Sequence, residues 1–172
     1  MKNLVFFLLI AKNAVSQIVL PIDTTTGRIA FTDIEVVDST SKSDLYTRAK
    51  MFCIEKFTNS KNVIQMDDKE SGIIIGKYTF THYITMLGSL QENGQIETTI
   101  KIFLKDNKYK CVLTDYIFKY PGFSDHPMET QYPGSTDRRW NYSKQQVKGN
   151  ATEMLRQLNQ AMTKKSQSTN NW

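Results

Sequence analysis

The chain predicts an α+β fold: an antiparallel sheet of five strands, in the order β-α-β-β-β-β-α, with two helices on one face. Three observations predict it. Two stretches, near Leu45 and near Val147, carry apolar residues at helical spacing. Between them, Ile96, Thr98, Ile100, Ile102 and Leu104 alternate with Glu97, Thr99, Lys101 and Phe103, the pattern of a half-buried strand. Short polar turns separate the four central strands, which favours an antiparallel meander. Two helices with one apolar face each can bury those faces on the same side of such a sheet.

The first sixteen residues read as an address. Lys2 precedes the apolar run Leu4–Ile10, and Ala14 and Ser16 are the small residues that direct cleavage before Gln17, the order of a secretory signal peptide. The run is too short to span a bilayer, and no later stretch reaches that length, so the mature chain is expected to have no transmembrane segment and to be periplasmic or secreted. Residues 17–165 then form one domain and 166–172 a polar tail.

Gln17–Gly27, with Pro21 and a Thr-Thr-Thr-Gly turn, is an irregular lead-in. Arg28–Val37 is rich in β-branched residues and reads as the first strand. Ser41 with Asp44 resembles a capping box, so a helix starts near Lys42. Its apolar arc is Leu45, Tyr46, Ala49, Phe52, Cys53 and Phe57, and Asn59-Ser60 ends it. Asn62–Asp67 is a short strand, Asp68–Ser71 a turn, and a long strand runs from Ile73 to about Ile84. Gly76 within it signals a bulge or a close backbone approach. Gly88–Gly94 reads as a turn, and the strands Ile96–Leu104 and Tyr109–Phe118 form a hairpin about Asp106-Asn107. Tyr120–Asn141 holds three prolines and no period, which makes it a surface loop of a length usually tied to function or disorder. Ser143 and Gln146 look like a second capping box, followed by the stripe Val147, Ala151, Met154, Leu155, Leu158, Ala161 and Met162.

Several segments carry a family resemblance. They are Asp44–Lys50, Val63–Gly72 and Ile74–Lys77, preceded by Leu20-Pro21 and Thr26–Ile29. Over about residues 20–120 the chain resembles the bacterial domain of unknown function 4468, described as having a TATA-binding-protein-like fold. Tyr78 departs from it, since a small residue is expected there. The resemblance implies the same strand–helix–four-strand–helix order and a signal peptide as usual context. It implies no activity.

Composition restricts the chemistry. The formal charge is +5, and loss of Lys2 and Lys12 with the leader lowers it to +3. No dense Lys/Arg stripe accompanies the basic balance, and the leader also argues against nucleic acid as partner. The two histidines, His82 and His126, lack metal-site spacing. Ser124-Asp125-His126 spells triad letters, but neighbours on one loop cannot make triad contacts. Asp67, Asp68 and Glu70 lack EF-hand spacing and read as a solvated turn. Asp33 and Glu35 share one strand face, where charge guards a sheet edge. No dinucleotide, P-loop, GxSxG or CxxC motif occurs, so no cofactor, metal or catalytic residue is assigned. Export permits a disulfide between Cys53 and Cys111, and two buried thiols satisfy the same pattern.

What remains is a non-enzymatic exported domain that binds a protein partner or a small ligand, through the uncovered sheet face or the 120–142 loop. An enzyme of unrecognised type is the alternative. Strand alternation places Phe103, Tyr116 and Phe118 on the uncovered face, and Tyr78 and Phe80 join them if the long strand is in matching register. That aromatic cluster is a candidate contact face for a partner or for self-association. The other reading has the loop fold over these rings as additional core.

Overall fold

A computed structural model of the chain describes residues 17–56 and 63–164. The expected signal peptide, Phe57, the expected Asn59-Ser60 helix stop, Asn62 and the expected tail lie outside the described residues. Eight elements follow one another: β1 (Ala30–Val36), α1 (Lys42–Lys56), β2 (Val63–Asp68), β3 (Ile73–Met86), β4 (Ser89–Lys105), β5 (Lys108–Lys119), β6 (His126–Pro127) and α2 (Asp137–Thr163). The sheet order is β1-β5-β4-β3-β2, with the two-residue β6 beside β5, and every pairing is antiparallel. The expected α+β order is present, with a sixth strand inside the long loop.

Both helices lie on one side of the sheet. Leu45, Ala49, Phe52 and Cys53 of α1, with Val147, Ala151, Leu158 and Met162 of α2, are buried against Ile74, Ile96, Ile100, Ile102, Cys111 and Leu113. The start of α1 is as its sequence predicts: Ser41 Oγ accepts from the Asp44 N–H at 3.1 Å. The β4–β5 turn fastens that start in place. Asp106 Oδ1 accepts from the Lys42 N–H at 2.7 Å, and Asn107 Oδ1 from the Thr40 N–H at 3.0 Å. Asp67 is held by the Lys50 ammonium at 2.7 Å and by the Tyr46 hydroxyl, which ties α1 to β2. Lys50 and Tyr46 together hold its carboxyl below the usual range.

Three local readings are corrected. The turn at Gly88–Gly94 is tighter: Leu87 and Gly88 alone reverse the chain, both at positive φ, and β4 starts at Ser89. Gly94 lies within β4 at φ +96°, where a Cβ would stand 2.4 Å from the Lys119 carbonyl oxygen, so close backbone approach explains the glycine. Helix α2 starts six residues before Ser143, at Asp137, with Thr136 as N-cap. The Thr136 side chain accepts from the Arg139 N–H, and no Glu or Gln follows at the third position to complete a capping box.

Ser143 and Gln146 do other work. The Gln146 amide grips the Tyr83 backbone, accepting from its N–H at 3.0 Å and donating to its carbonyl at 2.8 Å. Tyr83 sits at a register shift between β3 and β4, where the ladder leaves main-chain groups in need of partners.

Candidate functional site

The predicted aromatic face divides between the two sides of the sheet. Phe103 alone points to the uncovered side, where it lies in one row with Ile73, Lys110 and Ile34. Tyr78 and Phe80 pair with Thr98 and Ile96, which places them on the helix side. The Tyr78 hydroxyl donates to Asn150 Oδ1 of α2 at 2.8 Å. Tyr116 and Phe118 are buried there too. Between Leu113 and Tyr116 the β4–β5 register shifts by one residue, at Asp115 with φ +55°. That bulge moves every later side chain of β5 to the opposite face. Cys53 and Cys111 are free and buried, one on each layer. Burial raises the Cys53 thiol to about 12 and raises Cys111 as well, so both stay protonated and inert.

The flip gathers aromatic rings on the helix side, at the end of the sheet away from the β4–β5 turn. Here the 120–136 segment folds over the ends of β3, β4 and β5. Met128 is buried, and its N–H donates to the Tyr116 carbonyl at 2.9 Å. Phe118 meets Tyr132 edge-on at 5.5 Å and His82 at 5.0 Å. Tyr120 lies 6.3 Å from Phe118 and 5.2 Å from Phe123. The loop thus contributes core for Tyr116 and Phe118 and leaves the other sheet face uncovered.

Between loop, strand ends and α2 lies a cleft of about 310 Å³. Aromatic rings supply much of its apolar wall, from the buried Phe118 and Trp140 to Phe123, which is 63% exposed. His82 and Ser143 form its polar floor, and Arg139 reaches it from the first turn of α2. His82 is 1% exposed. Its Nε2 is 2.9 Å from Ser143 Oγ and its Nδ1 is 3.3 Å from the Asn93 carbonyl oxygen. Burial lowers its pKa, against a smaller pull upward from that carbonyl, so the ring is neutral near pH 7.

Ser143 Oγ also lies 3.1 Å from the Arg139 carbonyl oxygen, to which it can donate. One hydroxyl proton therefore has two acceptors, the imidazole and the helix carbonyl. This floor offers a ligand a neutral donor and acceptor pair. No Asp or Glu lines the cleft, and no cluster among the described residues could hold a metal. His126 lies in the wall behind, 5.2 Å from Tyr132 and bonded to Thr130. Sequence reasoning offered the 120–142 loop as a binding surface but not the cleft beneath it or its His82–Ser143 pair, because these depend on a β-bulge, a two-residue strand and a helix start that leave only weak local marks. The signals present were the long loop and the triplet of aromatics Phe118, Tyr120 and Phe123.

Comparison with known proteins addresses the fold and the family. No curated protein matches the chain. The structure is similar to that of a DUF4468 family protein from Bacteroides ovatus, with a TM-score of 0.71, 15% identity, and coverage of 86% of this chain and 92% of that one. It is also similar to a TBP-like protein from Parabacteroides distasonis, with a TM-score of 0.68, 13% identity, and coverage of 83% and 96%. At such identities the likeness concerns the fold alone. The model of the family described as "Domain of unknown function (DUF4468) with TBP-like fold" matches residues 31–119, more than half of the sequence, and the chain belongs to that family.

Proposed function

We propose that this chain is an exported, non-enzymatic binding domain whose ligand site is the cleft built by the 120–136 segment. The carrying observation is the convergence of five aromatic rings, Phe118, Tyr120, Phe123, Tyr132 and Trp140, on one space that also holds the bonded pair His82 and Ser143. Ligand sites are concave and mostly apolar, with few convergent polar groups and often a perturbed pKa. The Lys2–Ser16 leader supports export. The missing carboxylate on His82 Nδ1, whose partner is a backbone carbonyl, supports binding over catalysis.

Affinity mass spectrometry tests the reading. The purified chain is incubated with a small-molecule extract of its native envelope, and bound species are eluted and weighed. The expected result is a compound recovered chemically unchanged on the parent and lost from the Tyr120→Ala/Phe123→Ala variant at equal melting temperature. Equal retention by both proteins, or recovery of a chemically altered compound, contradicts it.

A second reading has its own observation. On the uncovered face Ile34 and Val36 are 64% and 65% exposed beside the exposed Lys108 and Lys110. Exposed aliphatics among lysines fit an acidic protein partner. Loss of capture of such a partner in Ile34→Asp/Val36→Asp, with the cleft intact, is the result that reading requires.

A further inference from the structure

We propose that the cleft selects planar aromatic or heteroaromatic monoanions, with Arg139 as the anion-binding residue; this rests on the cleft being the ligand site. Three features carry it. The first is shape. The rings of Phe118, Tyr120, Tyr132 and Trp140 border one space of about 310 Å³, room for one fused ring system and a short substituent. Flat ligands are held by such walls through offset or edge-on ring contacts.

The second is charge. Arg139 is the only charged side chain lining the cleft, and none of the ion pairs among the described residues involves it. Its guanidinium presents a fork of donors that matches a carboxylate in bidentate fashion. With no Asp or Glu on the wall, a single negative charge is complemented by Arg139, whereas a cation would find no carboxylate to pair with and would have to offset the Arg139 charge through ring faces alone.

The third is the floor. His82 is neutral and its ring nitrogens are already engaged by Ser143 and Asn93, so it adds no second positive charge. The Ser143 hydroxyl can turn from the Arg139 carbonyl toward the cleft and donate to, or accept from, a ring heteroatom. One cation in the lining and the neutral His82–Ser143 pair define a ligand with an anionic end and a ring end.

The test uses indole-3-acetate and its neutral isostere indole-3-acetamide, titrated by calorimetry into the purified chain at fixed low salt. The acid should bind about tenfold or more tightly than the amide, as expected for a charge-assisted bond. Arg139→Gln should erase that preference while leaving weak amide binding and the melting temperature unchanged. Arg139→Lys should retain part of it. Equal affinity for acid and amide, binding of neither, or an acid preference that survives Arg139→Gln overturns the proposal. The Tyr120→Ala/Phe123→Ala variant separates the two levels. If it abolishes an acid-indifferent binding, the cleft remains the ligand site and only the anion assignment fails.

Discussion

The Thr98 hydroxyl donates to the Thr114 carbonyl oxygen at 2.8 Å, at the point where two residues of β5 face one of β4. Upstream of this bond odd-numbered side chains of β5 face the helices; downstream Tyr116 and Phe118 do. The bulge therefore turns Phe118 toward the cleft, where it joins rings from the 120–136 segment and α2. It rests on Asp115 at φ +55°, a conformation that costs a β-branched residue more than glycine. Asp115→Val should lower stability by roughly 1–2 kcal/mol relative to Asp115→Gly. Urea denaturation of the two variants measures it, and equal midpoints contradict it.

The sequence made the sheet legible and the cleft largely not, for a physical reason. Alternation at Ile96–Leu104 and the periodic stripe at Val147–Met162 are repeated signals, so local errors average out. Face assignment is fragile because one inserted residue inverts everything after it. That single residue puts Tyr116 and Phe118 on the helix side, while Phe103, paired with Lys110 outside the bulge, keeps the face that alternation predicts. The first turns of α2 were missed for another reason. Arg138, Arg139, Asn141 and Tyr142 show no apolar period, and this part of the helix turns only Trp140 and Ser143 fully inward.

Gly94 and Gly88 give a matched pair near the same hairpin. Both have positive φ, but a methyl on Gly94 meets the Lys119 carbonyl at 2.4 Å while one on Gly88 meets open space. Gly88→Ala should cost about 1–2 kcal/mol from backbone conformation alone. Gly94→Ala should cost more, and should shift Tyr120 at the cleft mouth. Thermal melts together with near-ultraviolet circular dichroism check both; a Gly94→Ala protein as stable as Gly88→Ala contradicts the close approach.

His82 makes stability depend on pH in a stated direction. Its folded pKa lies below the ordinary 6.5, so below that pH the unfolded chain binds more protons than the folded one. Stability from this group is full above 6.5 and is lost as pH falls toward the folded pKa. Denaturation midpoints measured from about pH 7.5 down to about 5.5, where ordinary carboxylates stay ionised, should decrease. In His82→Gln the slope should be flatter. The same slope in both proteins contradicts the assignment.

The two cysteines should be unreactive in the native state. At pH 8 almost none of Cys53 is thiolate when its pKa is about 12, and Cys111 is raised in the same way by burial. A chromogenic disulfide reagent should release no fast signal from native protein and two equivalents after denaturation, one per cysteine of the sequence. A fast native equivalent contradicts the burial of either thiol.

Leu158 is fully buried between α2 and the sheet. Leu158→Ala should cost about 2–5 kcal/mol through the lost contacts and the cavity left behind. An unchanged denaturation midpoint would show that α2 does not dock on the sheet.

On the proposed function, ligands enter the cleft under the 120–136 segment and leave the uncovered sheet face untouched. Amide chemical-shift mapping of the isotope-labelled chain, titrated with indole-3-acetate, separates the two surfaces. Shifts should cluster at His82, Asn93, Tyr120–Phe123, Tyr132 and Arg139, with Ile34, Val36 and Phe103 unmoved. Shifts confined to Ile34, Val36 and Phe103, or none at saturating ligand, contradict it.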